Sequence, residues 1–339
     1  MELPRAHGAP PLTGRLRAEP ADFEVEEERG FEPSGQGEHA FLIIEKTGAN
    51  TEWVARQLAA AAGVAPVAVG YAGLKDRHAV TRQAFTVQLS GRADPDWSAL
   101  AIPGVQVLSA ARHDRKLKRG AHRGNRFRIR LRDVRGERAA AETQLEAIRA
   151  RGVPNYFGEQ RFGTDRRNLA LAEALFAGRR LPREQRGFAL SAARSELFNA
   201  VLARRVSDDS WDRALDGEVW MLAGSNAIFG PEPWNEDLAR RLAAFDIDPT
   251  GPLWGAGELR SAAAVRALEL AAIEPLAPLA RGLEREDLGQ QRRALRLRPG
   301  DLAWSWEGED RLVLDFRLPA GAFATVVLRE VFDAPDPQG

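Results

Sequence analysis

Asp76 stands in the stretch Gly70-Tyr-Ala-Gly-Leu-Lys-Asp-Arg-His-Ala-Val-Thr-Arg-Gln-Ala-Phe85, with Lys75, Arg77 and His78 beside it. Neighbouring cations favour the charged form of a carboxylate, which is the form that can attack carbon or orient a polar substrate. Glycines at 70 and 73 admit backbone conformations that other residues resist. Strand signals lie on both sides, at residues 67–69 and then at Phe85, Val87 and Leu89. These residues predict an aspartate on a tight bend where strand meets loop. A solvated turn whose charges pair with one another is the plain alternative for any Lys-Asp-Arg triplet.

A second group of residues suits a polyanion. The chain balances 48 basic against 48 acidic residues, yet residues 112–130 hold nine Lys or Arg and one acid, Asp114. That local excess makes Arg115, Lys116, Lys118, Arg119 and Arg123 candidates for contact with a phosphate backbone. Immediately after them, Asn125-Arg-Phe-Arg-Ile-Arg-Leu-Arg132 alternates strictly. Phe127, Ile129 and Leu131 fall on one face of a strand, and Arg126, Arg128, Arg130 and Arg132 on the other. The arginine face needs water or phosphate, and periodicity does not choose between them. Lysine occurs only at 46, 75, 116 and 118, so Lys75 and the Lys116/Lys118 pair mark places where a slim ammonium suits better than a planar guanidinium.

Other chemistries find no support. Without cysteine there is no disulfide, thiolate nucleophile or sulfur-ligated zinc, and His7, His39, His78, His113 and His122 show no metal-ligand spacing. A Walker-type loop and a GxGxxG element after a strand are missing too, so catalysis is expected to use side chains alone, with no cofactor. At 339 residues and 44% apolar content the chain can fill two cores. It has no apolar run of membrane-spanning length, and residues 57–74 are broken by Gly63, Pro66 and Gly70. The N-terminus lacks a basic region followed by an apolar stretch, so no secretory signal and no membrane role are expected, and the cytoplasm is the expected location.

The elements that position these residues read as follows. Phe23 and Val25 alternate with acids, residues 40–44 form a buried-type run, residues 105–108 are short and apolar, and residues 125–132 alternate; all read as strands. Asn50 or Thr51 can cap a helix through Trp53, Val54 and Leu58 that ends at Gly63, and residues 137–150 form another. This is an α+β arrangement with helices on a mainly antiparallel, mixed sheet. From about 153 to 297 the pattern becomes helical, as at residues 191–205 and 259–273, before residues 302–306 and 312–316 read as strands again and a helical pattern runs to Phe332. The expected organisation is a sheet domain, 1–152 and 298–339, interrupted by a large, more helical domain, 153–297. Two tandem domains would also fit the pattern.

Taken together, GYAGLKDRHAVTRQAF resembles the signature of the tRNA pseudouridine synthase D (TruD) family, whose AGxKD aspartate is the catalytic nucleophile; Asp76 occupies that position. Further matching segments follow in the family's order. They are PADFEVEE around Phe23, GFEPSGQGEHAF from Gly30, KLKRGAHRGNRFRI up to Ile129, GVPNYFGEQRFG from Gly152, LSAARSELFN from Leu190 and LPAGAFAT around Phe323. The resemblance runs from near residue 12 to near residue 332 and is faint over 206–290. It implies a catalytic domain of pseudouridine-synthase type carrying the helical domain as an insertion. It also implies conversion of uridine 13 of tRNA into pseudouridine, and a monomer with tRNA as its partner.

The resemblance also supplies site residues. Asn125 and Phe127 match an NxF element of the family's active site, so Phe127 is expected to stack on uracil and Asn125 to hold a polar atom. Other branches of pseudouridine synthases carry tyrosine where Phe127 falls. Phe23 and Phe323 match pocket-lining positions, Arg17 a basic position beside the nucleophile, and Lys75 adjoins it on the substrate side. Whether the carboxylate adds to sugar, adds to base or removes a sugar proton is left open. A non-catalytic RNA-binding or tRNA-folding protein explains the charge and the aromatics, but not a cation-flanked aspartate, which weakens phosphate binding unless it has another task. A nucleotide hydrolase would want a second carboxylate or a metal cluster.

Overall fold

The computed structural model describes residues 3–333. They fall into two compact units, one holding residues 12–137 and 300–321, the other the segments before residue 12, from 138 to 299 and from 322 to 332. The first unit lays down β1 (Leu12–Leu16), β2 (Phe23–Glu28), β3 (His39–Lys46), helix α1 (Thr51–Ala61), β4 (Val69–Tyr71), β5 (Val80–Gln88), β6 (Val105–His113) and β7 (Gly124–Gly136). The second unit follows with α2 (Arg138–Arg151), β8 (Val153–Pro154), α3 (Arg167–Phe176), α4 (Arg183–Ser207), β9 (Trp220–Leu222), β10 (Ile228–Phe229), α5 (Glu236–Ala243), β11 (Ile247–Leu253), α6 (Ala263–Ile273), α7 (Ala277–Arg285), β12 (Gln291–Ala294) and β13 (Arg296–Leu297). Strands β14 (Gly300–Trp306) and β15 (Leu312–Pro319) then return to the first sheet, and α8 (Ala324–Leu328) belongs to the second unit. No helix among the described residues is long and apolar enough to cross a membrane.

The large sheet runs β14-β15-β7-β2-β5-β3-β6, with β1 against β7 and β4 against β5. Only β2 and β5 run parallel; the other pairs of this path are antiparallel. Register decides what each face carries. Phe127 lies opposite Phe316 and Val25, Asn125 opposite Glu27, Thr81 beside Val25 and opposite Lys46. Side chains paired in this way share a face. One face therefore bears Phe23, Val25 and Glu27, then Asn125, Phe127 and Ile129, then Thr81, Gln83 and Phe85, then Leu42, Ile44 and Lys46. Helix α1 packs on it through Val54 and Leu58, four residues apart and fully buried against Leu42, Ile44, Phe85 and Val87. Each such buried side chain contributes about 1.5–3 kcal/mol.

Several expectations shift in detail. Residues 67–69 are not a strand: Pro66, with its fixed φ, opens a single turn of 3-10 helix at Pro66–Ala68, and β4 starts only at Val69. Asn50 sits at the start of α1 but makes no side-chain cap, and the Thr51 hydroxyl serves another partner. The helical pattern towards Phe332 yields only the short α8. The units divide at 11/12, 137/138, 299/300 and 321/322, so residues before 12, 138–152 and 322–332, expected in the sheet domain, fall in the second unit. Helix α2 belongs with the second unit because Arg151 pairs with Asp212 at 2.8 Å and Gln144 donates to the His7 carbonyl at 2.6 Å.

In the second unit the long α4 is the central post. Leu190, Ala193, Leu197 and Val201 pack against Ala172, Ile273, Leu279 and Leu283 of α3, α6 and α7. A small sheet, β10-β9-β11-β12, completes it. Residues 155–163 are built into this unit: Asn199 brackets Phe157 by accepting from its amide (2.9 Å) and donating to its carbonyl (3.0 Å), and Arg161 reaches Ser191 at 3.1 Å. Arg194 donates to the Leu253 and Gly289 carbonyls and so braces the end of β11 to the segment before β12.

Candidate active site

The loop from Ala72 to Ala79 joins β4 to β5, and almost every residue of it is tied down. The Ala72 carbonyl accepts from Gly120 (2.8 Å), the Gly73 carbonyl from Gln83 Nε2 (3.2 Å), and the Lys75 amide donates to Thr51 Oγ1 (3.0 Å). Arg77 exchanges two bonds with Gly48, through its carbonyl (3.0 Å) and its Nε (3.1 Å). Lys46 Nζ donates to the Asp76 carbonyl at 2.9 Å and the Lys75 carbonyl at 3.4 Å. The glycines serve close approach and not a left-handed backbone, since neither Gly70 nor Gly73 has positive φ. A Cβ on Gly70 would stand 2.5 Å from the Leu117 carbonyl oxygen, and one on Gly73 3.2 Å from the His122 ring.

Asp76 emerges from this frame part-exposed. Its Oδ1 accepts from the His78 amide (2.9 Å), and its Oδ2 pairs with Arg17 at 2.8 Å, with 23% and 28% of the two side chains open to solvent. Arg17 lies over the Phe23 ring, 4.3 Å from its centroid. Phe23 meets Phe127 edge-on at 6.1 Å, and Phe127 stacks on Phe316 at 5.5 Å. The fold thus brings Arg17, Phe23, Asp76 and Phe127 together from three stretches of chain. Phe23 and Phe127 are 4% and 7% exposed, so both are committed to the aromatic floor; Phe127 is not the open stacking platform expected from the sequence.

Lys75 turns inward. Its Nζ pairs with Glu27 Oε2 at 2.7 Å with both side chains buried, so it ties the loop to β2 where the sequence reading set it against substrate. His122 stands next to this pair; burial lowers its pKa, the charge of Lys75 adds to the lowering and Glu27 opposes it. Asn125, opposite Glu27, has a buried Oδ1 with no hydrogen-bond partner among the described residues.

The basic segment is mixed. Arg115 is 77% exposed, with Asp114 at 3.7 Å its ion-pair partner, and Lys118 and Arg123 are exposed. Lys116 donates to the Val67 carbonyl, and Arg119 stacks over Tyr71 while bonding its hydroxyl at 2.9 Å. The arginine face of β7 is a paired surface. Arg126 and Arg128 meet Asp315, Arg130 meets Glu307, and Arg132 meets Glu19 and Asp22. Phe323 lies in the second unit, half-buried near Gly158, with Arg161 6.0 Å from its ring centre.

Sequence reasoning gave no site role to Lys46, Glu27 or Gln83 and read Thr51 only as a helix cap, yet all four hold the loop. A signal existed for Glu27: the Phe23, Val25, Glu27 alternation puts an acid on the apolar face, where it needs a cation.

A family model described as tRNA pseudouridine synthase D (TruD) matches residues 5–178 and 171–331. The chain belongs to the TruD family. Curated relatives named tRNA pseudouridine synthase D include one from Xanthomonas euvesicatoria pv. vesicatoria, 53% identical over 98% of this chain and 95% of that one. Another, from Methylococcus capsulatus, is 53% identical over 100% of this chain and 96% of the relative. The fold matches the crystal structure of a Methanosarcina mazei protein assigned to tRNA pseudouridine synthase D, with a TM-score of 0.73 at 22% identity over 97% and 98% of the two chains.

Proposed function

We propose that the protein converts uridine 13 of tRNA into pseudouridine, with Asp76 as the nucleophile. The sheet unit is the catalytic domain, interrupted at 138–299 by the helical unit, which also takes in the segments before residue 12 and from 322 to 332. The observation that carries this reading is a part-exposed carboxylate on an otherwise immobilised loop, paired with Arg17 at 2.8 Å above an aromatic floor.

The reaction breaks the bond between ribose C1' and uracil N1, turns the base in place, joins C5 to C1' and releases the C5 proton. It is an isomerisation with no net redox change, so acid-base and nucleophilic side chains suffice. Asp76 supplies the nucleophile, and Arg17 aligns it and balances its charge. Asn125 Oδ1 accepts from uracil N3–H, which satisfies its orphaned lone pairs and offsets part of the few kcal/mol that extruding a paired base costs. Arg115, Lys116, Lys118, Arg119 and Arg123 meet the tRNA backbone.

The test is incubation with unmodified tRNA, without added cofactor, followed by mapping of pseudouridine. The parent is expected to modify position 13. Asp76→Asn is expected to make no product while keeping tRNA affinity within about threefold. Turnover by Asp76→Asn, or product at another position, would sink the reading.

A further inference from the structure

Lys46 is fully buried at the end of β3, and no carboxylate stands within 4 Å of its Nζ among the described residues. A buried ammonium without an ion-pair partner is unfavourable unless main-chain dipoles or a more distant charge compensate it. Here both hydrogen bonds go to carbonyls of consecutive loop residues, Asp76 at 2.9 Å and Lys75 at 3.4 Å. Its register partners on the two neighbouring strands are uncharged, Thr81 on β5 and Val105 on β6. The charged groups acting on it are the loop's own, Asp76 and Lys75, and the charge on Lys75 is already answered by Glu27. Arg77, next along the loop, is turned to Gly48.

We propose that Lys46 is a positioning residue for the reaction: from beneath the loop its ammonium grips the main chain at Lys75 and Asp76 and fixes the carboxylate in attacking position. The inference rests on Asp76 being the nucleophile. It assigns a reason for a charge in a site that packing alone would fill better with methionine or leucine. The carbonyl of Asp76 and its carboxylate are held by different groups, Lys46 below and Arg17 with the His78 amide above, so both ends of the residue are fixed.

The charge state of Lys46 gives the means of testing it. Burial, opposed by Asp76 and reinforced by Lys75, lowers its pKa from 10.5 to about 8. The unfolded chain then binds more protons than the folded one between those values, so the Lys46 contribution to stability rises with pH across that window. Activity and stability should therefore move in opposite directions. If the protonated form grips the loop, the single-turnover rate of the parent falls about tenfold between pH 7 and pH 9 while the melting temperature holds or climbs.

Lys46→Met removes the charge at similar volume. Expected are a kcat at least tenfold lower, a KM for tRNA within about twofold, an unchanged or higher melting temperature, and loss of the alkaline limb. A kcat within about twofold of the parent, or a drop that tracks lowered melting temperature, would overturn the proposal. So would persistence of the same alkaline limb in the variant. Should the variant fail to fold, the parent's own profiles decide: a rate flat to pH 9, or one falling together with stability, counts against Lys46. Asp76→Asn run alongside separates the two inferences. An active Asp76→Asn fails the nucleophile; an inactive one beside an intact Lys46→Met fails only the positioning role.

Discussion

Arg17 holds φ at 60°, in the left-handed region that a residue with a Cβ enters at a cost of about 1–2 kcal/mol. The same residue makes the 2.8 Å ion pair to Asp76 and lies over Phe23. Strain and contacts concentrated in one residue are separable by Arg17→Gly, since glycine accepts that backbone and discards the guanidinium. The single-turnover rate is expected to drop about tenfold or more, with little change in melting temperature because relieved strain offsets the lost contacts. An unchanged rate would detach Arg17 from the reaction. At this scale the sequence placed Asp76 on a bend between two strands, but not what its adjacent cations do: Lys75 pairs with Glu27 and Arg77 turns to Gly48, and the cation on the carboxylate is Arg17. The sequence was opaque where a partner arrives from another strand: Lys46, one of only four lysines, was given no role, because nothing in residues 40–46 says that its amine reaches the carbonyl of residue 76.

Strand β7 and the β4–β5 loop show how far a periodic pattern reaches. Alternation put Phe127, Ile129 and Leu131 on one face correctly, because a buried face leaves a strand no freedom of register. It did not say that Asp315 of β15 and Glu307 before it would neutralise the opposite face, since those residues lie far along the chain. The glycines were legible as special but for another physical reason: the constraint at Gly70 is space. A methyl there meets the Leu117 carbonyl at 2.5 Å and Thr86 Oγ1 at 2.7 Å, so backbone must move. Gly70→Ala is expected to destabilise the protein by roughly 1–3 kcal/mol, read as a lower urea midpoint at constant slope. A midpoint unchanged from the parent would mean that the basic segment is not packed against β4.

Over the whole molecule the interleaving of units could be read from the return of strand patterns at 302–306 and 312–316, whereas its boundaries could not, because the apolar stripe of α2 does not say which core it enters. Charge behaves similarly. With 48 basic and 48 acidic residues, attraction to tRNA cannot come from net charge and must come from exposed cations whose acidic partners are loosely held or lacking. On the sheet surface Arg126 and Arg128 share Asp315, while Arg115 is 77% exposed and Lys118 has no carboxylate within 4 Å among the described residues. A phosphate contact releases counterions, so each one lost reduces the slope of log K against log salt by about 0.7–0.9. Arg115→Ala with Lys118→Ala should therefore flatten the tRNA-binding slope by roughly 1.4–1.8, and Arg126→Ala with Arg128→Ala by less than about 0.5. The measurement is tRNA affinity across a salt series for the two double variants and the parent. The reverse ranking would move the RNA track from the segment before β7 to the arginine face of the sheet, with Asp315 giving up its partners to phosphate on binding.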